Sequence, residues 1–307
     1  MAWKWDAPSG VYKDHALSSN IREAAVADSL FTRFARVESG YGARRGQSIT
    51  ITRVFPLPLA HRISETDRLP SGRPLIDTKT VTVSEWGFKI ETTEFERNLT
   101  HFDLQNPMQG ALRDQMRLTL DKMVADAFKQ TPIKAVPTAS GLTVDTDGSP
   151  SEEADVNFSI RDLREIHDYL SGDLKAPSYR QGRYIGILST RAARGIKNDD
   201  EYKDWQAPTT SGPFMDGRMR DVEGFMLWET NHFNALENSL GANGVLGEAV
   251  FFGADPVFLG QVQEPELRAG IPQDLGRFRE MGWVGTVEAG LTWDVPAHAR
   301  VVHVTST

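Results

Sequence analysis

Between Gln47 and Thr93 the chain carries a long stretch that reads as extended backbone, yet neither of its faces is apolar enough to form a core. In residues 47–57, Ile49, Ile51 and Phe55 fall on one side and Thr50, Thr52 and Val54 on the other, the period of two expected of a half-buried strand. A second strand pattern runs from about Ile76 to Thr92, with Thr78, Thr80 and Thr82 alternating with Lys79, Val81 and Val83. Pro58 to Pro74, between them, is polar and rich in turn residues. The pattern predicts a long hairpin with a loose, basic tip: Arg44, Arg45, Arg53, Arg62, Arg68, Arg73 and Lys79 face only Glu65, Asp67 and Asp77. An isolated two-stranded ribbon is marginal in water, so this one must lie on the rest of its own chain or on a neighbour.

Around the ribbon the reading is helical, then mixed. Residues 1–17, with Pro8 and Gly10, read as an extended arm. Asn20 and Glu23 have capping-box spacing, and Ile21, Ala24, Ala25, Leu30, Phe31 and Phe34 give a partial helical stripe that stops by Gly40,. Glu94 to Phe102 is a short helical segment. The strongest helix follows, with Asn106 as N-cap, Pro107 at the first helical position and Pro132 as terminator,. Met108, Leu112, Met116, Leu120, Met123, Val124 and Ala127 form its apolar stripe; Arg113, Asp114, Arg117, Asp121, Lys122 and Asp126 fall on the opposite face. About 24 residues at ~1.5 Å each make a rod of roughly 36 Å, a structural axis.

Residues 137–157 read as a surface loop or weak hairpin. Ser159 with Asp162 opens a helix whose inward residues are Ile160, Leu163, Ile166 and Leu170, closed by Gly172,. Tyr184–Leu188 reads as a strand leading into a helix from Thr190, and residues 206–221 as a loop. Phe225–Trp228 and Ala249–Phe252 are buried-strand patterns, Pro256–Gln263 a short helix or turn, and the chain closes with strands at Val284–Trp293 and Ala299–Thr305.

At 307 residues, 39% hydrophobic and 25% charged, the chain can bury a substantial core and is not collagenous, mucin-like or wholly disordered,. No apolar run reaches the ~18 residues of a membrane span. Cysteine is absent, which excludes disulfides, a thiolate nucleophile and a Cys-based zinc site and suits a reducing compartment. The net charge of −8 is unevenly placed: residues 1–90 hold 13 basic against 9 acidic side chains, and the remainder 21 against 33. A basic first third and an acidic remainder suit head-to-tail contact between copies. The acidic total argues against tight nucleic-acid binding.

No catalytic constellation emerges. Ser189 sits at a strand-to-helix turn, but its surroundings lack G-x-S-x-G and it reads as a helix cap,. The Gly241–Gly247 run has no phosphate-contacting Lys,. None of the seven histidines has H-E-x-x-H spacing, and His298 and His303 fall on opposite sides of a strand. His101 with Asp103 is too common a spacing to mark a metal. Glu91, Glu94 and Glu96 could be imagined as the acid and base of a hydrolase, and read more simply as a solvated face. No enzyme activity, cofactor or metal is expected. What stands out is shape: an extended arm, a protruding basic hairpin and a spine-like helix, which a compact enzyme has little reason to build.

The order of these elements resembles the HK97-like fold of tailed-phage major capsid proteins. The resemblance rests on the hairpin opening at Gly42-Ala43-Arg44-Arg45-Gly46-Gln47, Val81-Thr82-Val83-Ser84-Glu85-Trp86-Gly87-Phe88 feeding the helix, the turn at Asn106-Pro107, Phe251-Phe252-Gly253, Gly282-Trp283 and Val301-Val302-His303-Val304-Thr305-Ser306. Among them, Val81–Phe88, Phe251–Gly253, Gly282-Trp283 and Val301–Ser306 are most similar to the N-four podophage type. The resemblance implies an α+β capsid fold in five parts: residues 1–46 as N-terminal arm, 47–93 as E-loop hairpin, 94–136 as peripheral domain with the spine helix, 137–263 as axial domain, and 264–307 as C-terminal peripheral strands.

It further implies hexamers and pentamers closing into an icosahedral shell around double-stranded DNA, contacted non-specifically, with synthesis in the host cytoplasm and no membrane. Since the arm starts almost at Met1, a separate scaffolding protein is expected, with a portal and, as an optional partner, a decoration protein. Arg44, Arg45, Arg53, Arg73 and Lys79 are the expected inter-subunit contacts. An encapsulin-type compartment shell shares the fold and differs in cargo; a soluble hydrolase would instead require a discrete oligomer with a pocket at the glutamates.

Overall fold

The computed structural model describes residues 26–39, 48–60, 62–63, 68–69, 71–99, 105–202, 221–232, 234–237 and 247–305. They form two sheets, a two-stranded ribbon and four α-helices. The first sheet has four strands: β1 (Arg36–Ser39) runs parallel to β10 (Val257–Ala269), which pairs antiparallel with β11 (Phe278–Leu291), which pairs with the edge strand β4 (Ser84–Thr93). The second has six strands, in the order β6 (Gly141–Asp145), β5 (Lys134–Thr138), β12 (Val301–Val304), β9 (Ala249–Phe252), β7 (Tyr184–Ser189) and β8 (Phe225–Thr230). The ribbon pairs β2 (Ser48–Val54) with β3 (Ile76–Thr82), Ser48 opposite Thr82 and Val54 opposite Ile76.

Two cores flank the six-stranded sheet. Because strand side chains alternate, adjacent residues of β9 serve both: Phe251 packs among Leu163, Ile196, Phe225 and Val302, Phe252 among Val124, Phe128, Leu259 and Val287. Helices α3 (Ile160–Asp168) and α4 (Thr190–Asn198) supply the first core. The second lies under α2 (Gln105–Lys129), the spine helix, whose 25 residues bury Leu112, Met123, Val124, Ala125, Ala127 and Phe128. The short α1 (Glu94–Leu99) joins β4 to it. Among the described residues no helix is long and apolar enough to cross a membrane.

Several expectations hold locally. Ser159 and Asp162 form the capping box of α3, Ser189 Oγ accepts from Ala192 N–H at 3.3 Å as the cap of α4, and the strands at β7, β8 and β9 fall where the apolar runs are. Others are corrected. The helix expected after Asn20 is, where described, a 3-10 turn at Phe31–Arg33 followed by β1. Burial of Leu30 and Phe31 against Phe128 and pairing with Phe258–Gln261 override the partial stripe,. Pro256–Gln263 is largely strand, because β10 is held between β1 and β11. Of the two readings of residues 137–157 the hairpin holds, since β5 pairs antiparallel with β6, Thr138 opposite Gly141, and only its burial in β5 was not foreseen. The spine helix starts at Gln105, one residue before its expected cap, and Asp121, assigned to its solvated face, is fully buried. The last two strands do not form a pair: β11 belongs to one sheet and β12 to the other.

Candidate interaction surface

The single strand expected from Ile76 to Thr92 breaks at Val83. Its first part pairs with β2, whereas its second part leaves the ribbon and becomes the edge of the four-stranded sheet. The ribbon proper is therefore shorter than expected, and its base lies on its own chain. Ile49 is buried. A Cβ at Gly260 would stand 2.3 Å from Ile49 Cδ1, and one at Gly290 would stand 2.5 Å from Val81 Cγ2. Only glycine at these sheet positions lets the ribbon approach.

Arg53 occupies the same inward parity as Ile49 and Ile51 and is 5% exposed. Its guanidinium donates to the Thr292 carbonyl at 3.3 Å and is ion-paired with both Asp77 and Asp294. Lys79 Nζ reaches the other Asp294 oxygen at 2.7 Å. Burial pushes the Asp294 carboxyl up, but hydrogen bonds and charge from Arg53 and Lys79 outweigh it and hold the group at about 2. Phe55 closes the base, edge-on to Trp293 at 5.9 Å and beside His298 at 5.0 Å, while Arg300 lies 4.7 Å over the Trp293 ring. Of the two beddings open to the ribbon, its own chain takes this base.

Beyond it the situation reverses. Leu57, Leu59, Ile63, Leu69 and Leu75 are all exposed, Leu59 to 93%, and Arg62, Arg68 and Arg73 are exposed among them. Natural monomers rarely leave so many aliphatic side chains uncovered on one protrusion. Of the basic residues expected to reach a neighbour, Arg73 lies on this outer part. Arg53 and Lys79 are engaged within the chain, and Arg44 and Arg45 lie outside the described residues.

The candidate chemistry does not converge. Glu91, Glu94 and Glu96 are exposed. Glu96 Oε2 accepts from Thr93 N–H at 3.1 Å while Thr93 Oγ1 accepts from Glu96 N–H at 3.2 Å, so this carboxylate caps α1. His298 lies against the ribbon base and His303 is buried in the six-stranded sheet. His101, Asp103 and all of the glycine-rich run except Gly247 lie outside the described residues. Among the described residues no three His, Asp or Glu side chains are grouped to hold a metal ion.

Two buried polar clusters went unread in the sequence. Asp121 accepts from Thr32 N–H at 3.0 Å, from Thr32 Oγ1 at 2.8 Å and from His232 Nδ1 at 3.2 Å, tying the start of the described chain to the spine helix and the segment after β8. Burial would raise its carboxyl; the hydrogen bonds from His232 and Thr32 hold it below the usual range. Glu248 lies 2.7 Å from Lys129 Nζ and 3.6 Å from His303 Nε2. Burial opposes its ionisation, yet these partners bring it down to about 2. Burial pushes the His303 imidazole down, and Lys134 Nζ is 3.0 Å from its Nδ1. A charged residue directly before the apolar run of β9 was the available signal for Glu248.

No family model and no curated protein sequence matches this chain. Solved structures do. The capsid asymmetric unit of cyanophage Pam1 is similar at a TM-score of 0.77 and 15% identity, covering 99% of this chain and 98% of that one. The head structure of Helicobacter pylori bacteriophage KHP40 gives 0.69 at 14% identity, covering 97% and 96%. The acid-stable capsid of Helicobacter pylori bacteriophage KHP30 gives 0.68 at 13% identity, covering 95% of each chain. The likeness covers nearly the whole chain, so the fold is the HK97-like fold of these capsids.

Proposed function

We propose that this chain, with its HK97-like fold, is a major capsid protein that self-assembles into the icosahedral shell of a tailed phage. The observation that carries the reading is the divided ribbon. Its base is fixed to its own body by Arg53, Lys79, Ile49 and Phe55, while its outer half exposes five aliphatic side chains and three arginines among the described residues. A ribbon held this way is bedded on a neighbouring subunit. Full burial of each leucine would contribute roughly 1.5–3 kcal/mol, and each exposed ion pair of Arg73 with the acidic remainder of a neighbour only ~0.2–1 kcal/mol. Apolar burial therefore dominates each contact, and repetition over the shell supplies stability.

In this reading residues 1–46 are the arm and 47–93 the E-loop. Residues 94–136 and 264–307 make up the peripheral domain, and 137–263 the axial domain at capsomer centres. The membership of β12 and β5 in one sheet means that the peripheral segments also contribute strands to the sheet of the axial domain. Arg44, Arg45 and Arg73 remain proposed inter-subunit contacts; Arg53 and Lys79 act by holding the ribbon at the angle from which it reaches a neighbour. The partners are other copies in hexamers and pentamers, a separate scaffolding protein, a portal and packaged DNA held without sequence preference, and the location is the virion. Negative-stain imaging and sedimentation of the purified chain test the reading. Closed shells or capsomers support it, and a chain that stays monomeric at high concentration, with or without scaffolding protein, overturns it.

A further inference from the structure

The spine helix ends beside β12, and a buried polar cluster makes the join. β12 is held to β5 by the pairs His303–Lys134 and Val304–Ala135, with His303 N–H donating to the Ile133 carbonyl at 3.1 Å and Thr305 N–H to the Ala135 carbonyl at 3.0 Å. Lys134 Nζ donates to the carbonyl of Lys129, the last residue of α2, at 2.6 Å. A cation there satisfies a carbonyl that has no donor within the helix and meets the negative end of the dipole. Lys134 and His303 are both buried.

His303 completes the join. Lys134 Nζ lies 3.0 Å from its Nδ1. An ammonium is a donor only, so Nδ1 presents a lone pair and the imidazole is neutral, with its proton on Nε2. On that side Glu248 Oε1 stands at 3.6 Å, close enough for its charge to be felt and too far for a hydrogen bond, and Nε2 has no hydrogen-bond partner,. The other Glu248 oxygen is taken by Lys129 Nζ at 2.7 Å and by Glu237 N–H at 2.9 Å. The charged groups facing His303 are therefore Lys134 from β5, Lys129 from the end of α2 and Glu248 from the position before β9.

One carboxylate already balances two ammonium groups. A proton on Nδ1 would add a third cation and set a donor against a donor, breaking the contact with Lys134, the residue that ties the end of α2 to the β5–β12 seam. Burial weighs most against an imidazolium at this place, Glu248 favours one, and Lys134 and Lys129 oppose it again.

We propose that this cluster is an acid-sensitive fastening: the join is closed only while His303 is neutral, and a proton taken up there releases the last turn of α2 from β5 and β12. An opened imidazole, with the ordinary pKa of 6.5, gains a proton as the pH falls through that value, and the closed one does not. The stability contributed is therefore present above about pH 6.5 and is lost below it. This window lies above the one in which Glu248 titrates, from 4.5 down to about 2. Between pH 7.5 and 5.5, protonation of the open form weakens closure about tenfold.

The test uses His303→Asn, whose side-chain carbonyl can stand near the place of Nδ1 and accept from Lys134 without titrating. Urea unfolding of both unassembled chains at pH 7.5 and 5.5 should show the wild-type folding constant falling about tenfold further than that of the variant, since the other histidines contribute equally to both. Amide exchange in the wild type, corrected for its intrinsic pH dependence, should rise at pH 5.5 in β5, β12 and the last turn of α2 ahead of β10 and β11. An equal fall in the two chains, or a rise shared by every strand, overturns the proposal. Should His303→Asn not fold, nitrogen-15 NMR of histidine-labelled wild type decides. His303 held as the neutral Nε2–H form at both pH values supports the proposal, and an Nδ1–H form, or an imidazolium in the folded chain at pH 5.5, overturns it. Every measurement is made on the unassembled chain, so each outcome leaves the shell reading where it stands.

Discussion

Replacing Arg53 with methionine keeps the aliphatic stem of a side chain that is 5% exposed and removes its charge. Three interactions disappear: the hydrogen bond to the Thr292 carbonyl and the ion pairs with Asp77 and Asp294. The aspartates are 44% and 35% exposed, so water recovers much of their loss and each pair is worth only up to ~1 kcal/mol. The carbonyl is enclosed and left without its donor, at about 1–3 kcal/mol. The sum is about 1–5 kcal/mol, borne by the ribbon base and not by the two cores. At 1.4 kcal/mol per factor of ten, amide hydrogen exchange in β2 and β3 should accelerate by roughly 5-fold at the least and up to about 4000-fold. Exchange in β7 and β9 should stay within a few fold of wild type. Mass spectrometry of peptides from the unassembled chain resolves the two regions. Unchanged ribbon exchange, or equal acceleration in every strand, would refute the anchoring argument.

Gly290→Ala should cost about 1–3 kcal/mol by overpacking against Val81 and the Phe258 ring,, with part of the loss recovered in Gly290→Ala/Val81→Ala; thermal melting of the four chains checks this. Glu248 titrates near 2 in the fold against 4.5 ordinarily, so its stabilisation is complete above about pH 4.5 and is lost as pH falls toward 2. Glu248→Gln should shrink the acid-induced drop in urea stability between pH 5 and 2 by about 3 kcal/mol, an order-of-magnitude figure. Asp121→Ala leaves Thr32 and His232 without their acceptor and should lower stability by about 3 kcal/mol, read from denaturant midpoints at constant slope. Leu59→Ser with Arg73→Glu should cut particle yield several-fold while leaving the melting temperature of the unassembled chain within about 2 °C, because both side chains lie on the outer ribbon.

What the sequence revealed depended on how local the cause was. The spine helix, the capping box at Ser159 and the apolar runs of β7 and β9 are fixed by side chains within a few positions of one another, and each is legible. β1 and β10 are not, because both exist through pairing with strands far away in the chain, and Phe31 and Phe34 can mimic a helical stripe while packing on Phe128 and Phe252. The ribbon was legible as a ribbon but not as a divided one. A clue was present, since Arg53 shares the inward parity of Ile49, Ile51 and Phe55, and a charge on an inward face requires a partner there. That partner, Asp294, is 241 positions away, and the glycines that admit the ribbon, Gly260 and Gly290, had nothing local to mark them. The turn that joins β10 to β11 was invisible for another reason: its left-handed residues include Asp274 and Leu275, at φ +48° and +57°, and an Asp-Leu-Gly sequence gives no sign that the leucine takes such a place.

The account turns on where the outer half of the ribbon goes. A cryo-electron microscopy reconstruction of purified particles should show Leu57, Leu59, Leu69 and Leu75 in van der Waals contact with an adjacent subunit, with Arg53 still clasped by its own Asp77 and Asp294. Particles in which those leucines stand free in solvent, or lie on the subunit that carries them, would contradict it.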